Sequence, residues 1–337
     1  MNHFVFCIND NWSIPAGVLI ESILYYNKNE KFTFHIITKS LSKKSLTAFN
    51  KIQTENPDAI INPLFINDDN FKTLPIREND HVTIETYFRL LLPDLLDKSI
   101  SKILYLDCDI LCTGKITDLF NTDISDYACA MSPDTCYSNI EVFNRLDYPY
   151  ENGYFCAGVM LFNLDYWRKN DIGKKCIEYL NTEADKCLWH DQDAINKILN
   201  GKIKQIHPKY NILPGFYYIL PMNKNIFQKN KLFKVFIKKE LWNDIIEAVN
   251  SPVLVHFSGT VKPWHKAYYE KPFYNLWRLF FKECKWTKYK LLRNPYGFTG
   301  KIKVLVKLIL HLAEKRNYSP EIYDVELKLI NQKKNSI

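Results

Sequence analysis

The sequence contains no glycine-rich nucleotide-binding motif, neither G-x-G-x-x-G nor a Walker loop, so a dinucleotide-binding or P-loop fold loses its main support. Its nine cysteines include no C-x-x-C pair, which is typical of reduced core thiols rather than of a disulfide framework. The N-terminus does not resemble a signal peptide, and no run of about 18 apolar residues occurs. We therefore expect a cytoplasmic protein without a membrane-spanning helix.

The 337 residues are 47% hydrophobic, which is enough for a large core and for one α/β domain with an appendage or for two domains. The formal net charge of +8 is concentrated near the end, because Lys282 to Arg316 holds ten lysines and arginines but two acids. Aromatic residues interleave there, and Ile302 to Ala313 is amphipathic. This pattern favours an anionic membrane surface, or packing on the main domain, over nucleic acid.

Apolar strands and helical stretches alternate along the chain. The pattern predicts strands at Phe4 to Ile8, Phe32 to Thr38, Ile60 to Ile66, Ile103 to Leu106, Asp126 to Met131 and Pro252 to Phe257, and Ala157 and Gly158 open a further apolar run that ends at Phe162. It predicts helical stretches at Ala16 to Tyr26, Ser42 to Thr54, Thr86 to Leu96, Asn163 to Tyr179 and Trp189 to Leu199. Such alternation indicates an α/β fold with a mostly parallel sheet that is flanked by helices.

The stretch KILYLDCDILCT, Lys102 to Thr113, carries two carboxylates, Asp107 and Asp109, directly after an apolar run. Open α/β sheets collect ligands at the carboxyl ends of their strands. In an extended segment these two side chains would point to the same side and could converge on one hard cation. The alternative is a polar turn that follows a strand.

Four further features allow both a structural and a functional interpretation. Arg89 is either a surface side chain or a cation that pairs with a carboxylate or a diphosphate. Asp191 and Gln192 either complement a helix dipole or line a site. His256, at a strand end, is a satisfied polar residue or a ligand, and Gly158 allows close packing or close approach of a ligand.

Taken together, five segments resemble the family 8 glycosyltransferases, which include bacterial lipopolysaccharide galactosyltransferases and glucosyltransferases, and glycogenin. In order they are the first strand with NDNW, then TYFRL, LYLDCDIL, YFCAGVMLFNLDYW, and DQDAIN followed by HFSGTVKPWH. The resemblance spans roughly residues 3–265. It implies a GT-A fold, a Rossmann-like mixed sheet, with a transferase domain over residues 1–265 and a helical, basic and aromatic region over 266–337.

The resemblance also implies a UDP-galactose or UDP-glucose donor and a divalent cation, Mn²⁺ or Mg²⁺. Its metal ligands would be Asp107, Asp109 and His256, a donor set that suits Mn²⁺. The catalytic candidates at the donor sugar are Arg89, Asp191 and Gln192. The other donor contacts that it implies are Cys7, Ile8, Asn9 and Asn11 at the nucleoside, Gly259 and Lys262 at the diphosphate, and Asp107, Cys108, Cys156 and Ala157.

The chain departs from the family pattern at two positions. Cys156 stands where many members have asparagine, and Asn9 replaces an acid that often lies near the uracil. A thiol cannot donate and accept as an amide does, so the first departure bears on the donor sugar and on catalytic efficiency. The family retains the anomeric configuration; since Gln192 is a poor nucleophile, a same-face route stands beside double displacement.

The sequence therefore predicts a retaining, metal-dependent hexosyltransferase. Its partners would be a UDP-sugar and a saccharide or lipid-linked glycan, with no nucleic acid. It would act at the cytoplasmic face of a bacterial membrane, with the basic C-terminal region against anionic lipid. The alternative, motivated by Cys156, is a nucleotide-sugar-binding scaffold that has lost transfer.

Overall fold

The computed structural model describes residues 2–67, 84–218, 235–259, 261–265, 271–284, 286, 318 and 320–335. Its strands are β1 (Asn2–Cys7), β2 (Phe32–Thr38), β3 (Ala59–Phe65), β4 (Lys102–Leu106), β5 (Ile110–Cys112), β6 (Cys129–Pro133), β7 (Phe155–Asn163), β8 (Ile203–Gln205) and β9 (Leu254–His256). Its α-helices are α1 (Ser13–Tyr26), α2 (Lys43–Glu55), α3 (Leu92–Leu95), α4 (Thr117–Phe120), α5 (Ile140–Leu146), α6 (Leu164–Lys169), α7 (Ile172–Thr182), α8 (His190–Ile198), α9 (Trp242–Asn250), α10 (Tyr274–Glu283) and α11 (Pro320–Lys334).

Short 3₁₀ helices connect these elements, and one of them lies next to the site. Their bounds are Asp10–Trp12, Ile84–Leu91, Tyr150–Asn152, Ala184–Lys186, Pro208–Tyr210, Pro214–Tyr218 and Lys239–Leu241. The predicted helical stretch Thr86 to Leu96 is thus a 3₁₀ helix followed by α3. Pro93 stands in the first turn of α3, where its missing N–H has no intrahelical partner to lose.

The main sheet has seven strands in the order β3-β2-β1-β4-β7-β6-β8. Neighbours pair in parallel from β3 to β4, and β6 pairs in parallel with β8. Strand β7 is antiparallel to both β4 and β6, so the sheet is mixed but mostly parallel. The prediction of a mostly parallel, helix-flanked sheet is therefore confirmed.

A two-stranded sheet of β5 and β9 lies outside the main sheet, and it corrects the expectation that Asp107 and Asp109 lie in an extended segment. Strand β4 ends at Leu106, the chain turns at Cys108 and Asp109, and β5 pairs antiparallel with β9. The two acids therefore do not alternate along an extended strand. The turn moves the chain out of the main sheet and brings Ile110 opposite His256.

The predicted helix from Asn163 to Tyr179 is also interrupted. Asn163 does cap its start, because its side chain accepts a hydrogen bond from the Tyr166 N–H. The helix then breaks into α6 and α7 at Asp171, which has a left-handed φ of 51°. An aspartate tolerates this conformation better than most residues do, and the break redirects the chain onto α8.

The described residues after position 270 pack on the same hydrophobic core as the strands. Trp277 in α10 and Trp286 belong to the buried cluster that contains Phe4 and Leu104. The predicted amphipathic segment Ile302 to Ala313 lies outside the described residues, and the division into domains at residue 265 stays a prediction. Among the helices that the structure describes, none has the length and apolar character that crossing a membrane requires.

Candidate active site

Asp107 and Asp109 flank the turn between β4 and β5, where the backbone fixes both. The Asp107 N–H donates to the Gly158 carbonyl at 2.8 Å, which ties the first acid to β7. The Asp109 carbonyl accepts from the Phe257 N–H at 2.8 Å, which ties the second acid to the end of β9. Asp109 is 6% exposed, whereas Asp107 is half-buried and therefore closer to the opening of the site.

His256 lies in β9 and turns its ring toward the two acids. Its Nε2 is 3.3 Å from Asp109 Oδ1 and 3.9 Å from Asp107 Oδ2. Its Nδ1 is 2.9 Å from the amide oxygen of Asn211, which can only accept, so Nδ1 carries a proton. One potential ligand atom from each of Asp107, Asp109 and His256 lies within 4.8 Å of the others, and this arrangement can hold a divalent cation.

Gly158 provides the space between these groups. A Cβ at this position would lie 2.3 Å from His256 Cε1 and 3.0 Å from Asp107 Oδ2. Such distances are too short for real side chains, so the imidazole and the carboxylate could not keep these positions beside any other residue. The sequence left open whether Gly158 allows close packing or the approach of a ligand. In the structure Gly158 packs against the candidate metal ligands.

Lys262 reaches the same cluster from the loop after β9. Its Nζ pairs with the Asp109 carboxylate and donates to the Phe257 carbonyl at 2.9 Å. Burial alone would raise the pKa of Asp109, but Lys262 and His256 outweigh burial and hold it well below its usual range. Burial would lower the pKa of His256, but Asp109 raises it to about 10. Nε2 must lose its proton before it can ligate a cation.

Arg89 is 4% exposed and joins the acids to α8, so the interpretation as a surface side chain is wrong. Its Nη2 is 3.1 Å from Asp107 Oδ1, its Nε is 2.9 Å from Asp191 Oδ2, and its Nη1 donates to the Ala157 carbonyl at 2.7 Å. Burial opposes the charge, but Asp191, Tyr105 and Asp107 together raise the pKa of Arg89. Burial raises the pKa of Asp191 to about 6, although Arg89 acts against this shift.

Gln192 is held by hydrogen bonds on both sides of its amide. Its Oε1 accepts from the Ala157 N–H at 2.9 Å. Its Nε2 lies 3.2 Å from the Tyr154 hydroxyl and donates to Asp134 Oδ2 at 3.3 Å. The amide is thus oriented by β7 and by the end of β6 rather than free to turn toward a substrate.

The sequence interpretation did not single out four residues that support this cluster. Tyr105 donates its hydroxyl to Asp107 Oδ1 at 2.6 Å, and the Arg89 guanidinium lies 4.2 Å from the centre of its ring. Asn211 orients His256 through its amide oxygen, and the Tyr154 hydroxyl contacts the amide of Gln192. Asp134 could have been found from the sequence, because it directly follows an apolar strand, β6, as Asp107 follows β4. Burial raises the pKa of Asp134.

Comparison of the sequence with models of known protein families identifies the family of this chain. The family model described as Glycosyl transferase family 8 matches residues 3–267. The chain belongs to glycosyltransferase family 8.

Curated relatives cover most of this family 8 chain. It is 29% identical over 282 residues to a lipopolysaccharide 1,2-glucosyltransferase of Escherichia coli, covering 80% of this chain and 78% of the relative. It is 28% identical over 266 residues to a lipopolysaccharide 1,3-galactosyltransferase of Salmonella typhimurium, covering 77% and 71%. It is also 28% identical over 300 residues to general stress protein A of Bacillus subtilis, covering 87% and 96%.

The fold agrees with a solved member of the same class. The crystal structure of the galactosyltransferase LgtC with donor and acceptor sugar analogues superposes with a TM-score of 0.71 at 24% identity, covering 84% of this chain and 96% of LgtC. At this identity the likeness establishes the fold, which is the GT-A fold. The expectation of this fold from the sequence is therefore confirmed.

The other residues that family 8 membership suggests for the donor lie at the end of β1, in the loop that follows it, in the turn after β4, in β7 and in the loop after β9, and their roles stay predictions. Cys7 and Ile8 end β1, and Asn9 accepts from the Asn11 N–H at 3.1 Å. Burial raises the pKa of the Cys7 thiol. Gly259 has a φ of 103°, a conformation that favours glycine, and no described atom would contact a Cβ there.

Three more predicted donor contacts lie in β7 and in the turn after β4. Cys156 is buried in β7 and contributes to the raised pKa of His256, so its thiol lies beside the imidazole. Ala157 contributes backbone groups, which bind Arg89 and Gln192. The Cys108 side chain is buried and packs with the hydrophobic core.

Proposed function

We propose that this family 8 protein transfers galactose or glucose from a UDP-sugar to a saccharide acceptor with retention of the anomeric configuration. The observation that carries the proposal is the meeting of Asp107, Asp109 and His256 with two cationic side chains, Lys262 and Arg89. Departure of a nucleoside diphosphate leaves negative charge on a phosphate oxygen, and such a cluster can stabilise that charge. The similarity to lipopolysaccharide glucosyltransferases and galactosyltransferases supports a hexose.

The donor set fits Mn²⁺ or Mg²⁺. Two carboxylates and one imidazole with a defined proton position are suitable ligands, and Gly158 keeps the space between them open. Such a cation supplies Lewis-acid stabilisation of the diphosphate. Lys262 and the backbone at Gly259 would bind the diphosphate oxygens. Arg89 would hold Asp107 and Asp191 in place.

The hydrogen bonds of Gln192 bear on how retention is achieved. The Ala157 N–H withdraws electron density from Oε1, which makes an already weak amide nucleophile weaker, and Asp191 is paired with Arg89. A same-face route, in which a phosphate oxygen of the leaving group takes the acceptor proton, needs neither side chain to move. The geometry therefore supports the same-face route, with Gln192 and Asp191 lining the donor sugar.

The decisive experiment is to incubate the protein with UDP-galactose or UDP-glucose and Mn²⁺ and to measure released UDP. We expect slow hydrolysis that stops when EDTA removes the metal and resumes when Mn²⁺ is restored. The alternative is a scaffold that binds the donor without transfer, and the thiol of Cys156 beside His256 is the observation that favours it. Tight donor binding without any UDP release, with or without added glycans, would select the scaffold.

We infer that the acceptor belongs to lipopolysaccharide, lipooligosaccharide or another cell-surface glycan. The similarity to the two lipopolysaccharide transferases supports this class of acceptor. If the acceptor is lipid-linked, it lies at a membrane, so we also infer that the protein works at the cytoplasmic face of the membrane. The basic region between Lys282 and Arg316 would then lie against anionic lipid.

A further inference from the structure

The loop after β1 has no carboxylate to offer a ligand. Asp10 is the only acid between Ile8 and Trp12. Its carboxylate accepts from the Ser42 N–H at 2.8 Å, at the start of α2, and it is therefore turned away from the site. Any carboxylate that faces a ligand beside this loop therefore comes from another element.

Glu85 supplies a carboxylate at this place. It belongs to the 3₁₀ helix Ile84–Leu91, which packs against β1 and β2, and it is 7% exposed. Its Oε2 accepts from Asn9 Nδ2 at 3.4 Å, which is a long hydrogen bond. Glu85 is thus a buried carboxylate beside the loop that is expected to bind the nucleoside.

No cation in the described part of the chain neutralises Glu85. Arg89 is the single cation of its helix, and that guanidinium is engaged by Thr86, Ala157, Asp107 and Asp191. Among the described residues the Glu85 carboxylate thus has one weak donor, and a buried carboxylate is costly unless further donors reach it. A ligand that brings an N–H group to this position would satisfy it.

We propose that Glu85 recognises the base of the donor nucleotide by accepting a hydrogen bond from N3–H of uracil. Asn9, whose amide already contacts Glu85, would donate to the neighbouring carbonyl oxygen of the base. Cytosine has a lone pair at N3 instead of a hydrogen, so it would face the carboxylate with repulsion. This inference rests on the proposed function, since it deepens the same nucleotide site, and it makes Glu85 a specificity-determining residue.

The test compares the binding of UDP and CDP by calorimetry in the presence of Mn²⁺. We expect the full-length protein to bind UDP at least about tenfold more tightly than CDP. In Glu85→Gln the amide can turn its NH₂ toward N3 of cytosine, so the UDP preference should narrow by about tenfold or more. Glu141→Gln, which removes an exposed carboxylate on α5, should keep the original preference.

A second measurement compares two ligands on the same protein, so its result does not depend on the fraction of a variant that folds. UDP methylated at N3 lacks the donor hydrogen, so the unaltered protein should bind it at least about tenfold more weakly than UDP. In Glu85→Ala the carboxylate that would accept from N3–H is absent and leaves room for the methyl group. The N3-methyl group should therefore weaken UDP binding by less than about threefold in this variant. An equal methyl penalty in both proteins, or an unchanged UDP to CDP ratio in Glu85→Gln, would overturn the assignment.

Failure of the proposed function gives a different result. If the unaltered protein binds neither UDP nor CDP with Mn²⁺, the nucleotide site itself is absent, and the inference on Glu85 falls with it. If the protein binds UDP and releases it from UDP-sugars, but the Glu85 variants keep the original ratio and methyl penalty, the proposed function stands and only the role of Glu85 is wrong.

Discussion

At the scale of single residues, Gly158 determines whether the candidate ligands can come together. We expect Gly158→Ala to lower Mn²⁺ affinity by at least about tenfold, because its Cβ would lie 2.3 Å from His256 and would displace the imidazole. The free energy of unfolding should fall by about 1–3 kcal/mol from the same overlap. Electron paramagnetic resonance of free Mn²⁺ and urea denaturation measure the two effects.

A matched control is available at Gly114. A Cβ there would have its nearest neighbour, Val253 Cγ2, at 3.4 Å, which is close to ordinary contact. Gly114→Ala should therefore keep Mn²⁺ binding. Mn²⁺ affinity in Gly158→Ala equal to that of the unaltered protein would contradict the arrangement of ligands described above.

The sequence was informative for residues whose chemistry shows in one segment. Asp107 and Asp109 follow an apolar run, and His256 ends another, so both could be predicted as candidates from residue type and position. The contacts of Asn211 and Glu85 could not be predicted, because they depend on backbone segments that only the fold brings near the site. The same holds for the hydrogen bonds that fix Gln192.

At the scale of elements, the neighbouring strands β1 and β2 carry a histidine pair that should make stability sensitive to acid. The rings of His3 and His35 stack with centroids 5.3 Å apart, and His35 is buried. Burial lowers the pKa of His35 from 6.5 to about 4, and His3 adds to this shift. Between these values the unfolded chain binds more protons than the folded one, so stability falls as the pH falls.

We therefore expect the free energy of unfolding to decrease by roughly 1–2 kcal/mol through His35 between pH 7 and pH 5. Urea denaturation at a series of pH values measures this decrease. His35→Gln cannot take up a proton, and its stability should change less over the same interval. Identical pH dependence of the variant and the unaltered protein would show that His35 does not titrate in this way.

The elements also show where sequence patterns reach their limit. The parallel β1-to-β3 half follows from alternating strands and helices, since parallel strands need a crossover connection. Strand β5 was not predicted, because Ile110 to Cys112 is as apolar as β4 and nothing in this short segment shows that it pairs outside the main sheet. Pairing with β9, which lies over 140 residues later, decides that Ile110 leaves the main sheet.

Side chains of α11 contact both the first and the last turn of α10. Glu326 accepts from the Leu276 N–H at 3.0 Å, in the first turn of α10, and Lys333 pairs with Glu283 at 2.7 Å in its last turn. These charges complement the helix dipole of α10. We expect Glu326→Ala to reduce the free energy of unfolding by about 1–3 kcal/mol, because a buried N–H loses its partner.

Thermal and urea denaturation of Glu326→Ala provide the measurement. Asp324→Ala, which changes an exposed acid on the same helix, should alter stability by less than about 0.5 kcal/mol. Equal stability of the two variants would mean that the carboxylate of Glu326 contributes nothing to the attachment of α11.

At the scale of the whole molecule, the uneven charge leads to a prediction on membranes. Each lysine or arginine near an anionic surface contributes about 1 kcal/mol, so neutralising six of them should reduce vesicle binding by more than about a hundredfold. Co-sedimentation with vesicles that contain anionic lipid measures this, with the following changed to glutamine: Lys288, Lys290, Arg293, Lys301, Lys303 and Lys307.

Substitution is preferable to truncation at Lys282, since truncation would also remove Trp286 and α11 from the core. The control carries the same net charge but alters exposed lysines elsewhere: Lys43, Lys51, Lys98, Lys174, Lys175 and Lys202. It should sediment as the unaltered protein does. If the unaltered protein ignores anionic vesicles, the basic region does not attach the protein to membranes.

The pairing of β5 with β9 has a consequence for the protein while it is being made. When the ribosome has released β4 and β5, both aspartates exist, but the imidazole that completes their cluster is still about 150 codons away. A nascent or prematurely terminated chain would therefore carry the acids without their third partner. Among the elements that the structure describes, β9 is the last strand to be synthesised, so an unfinished copy that stops before it lacks the complete set of candidate ligands.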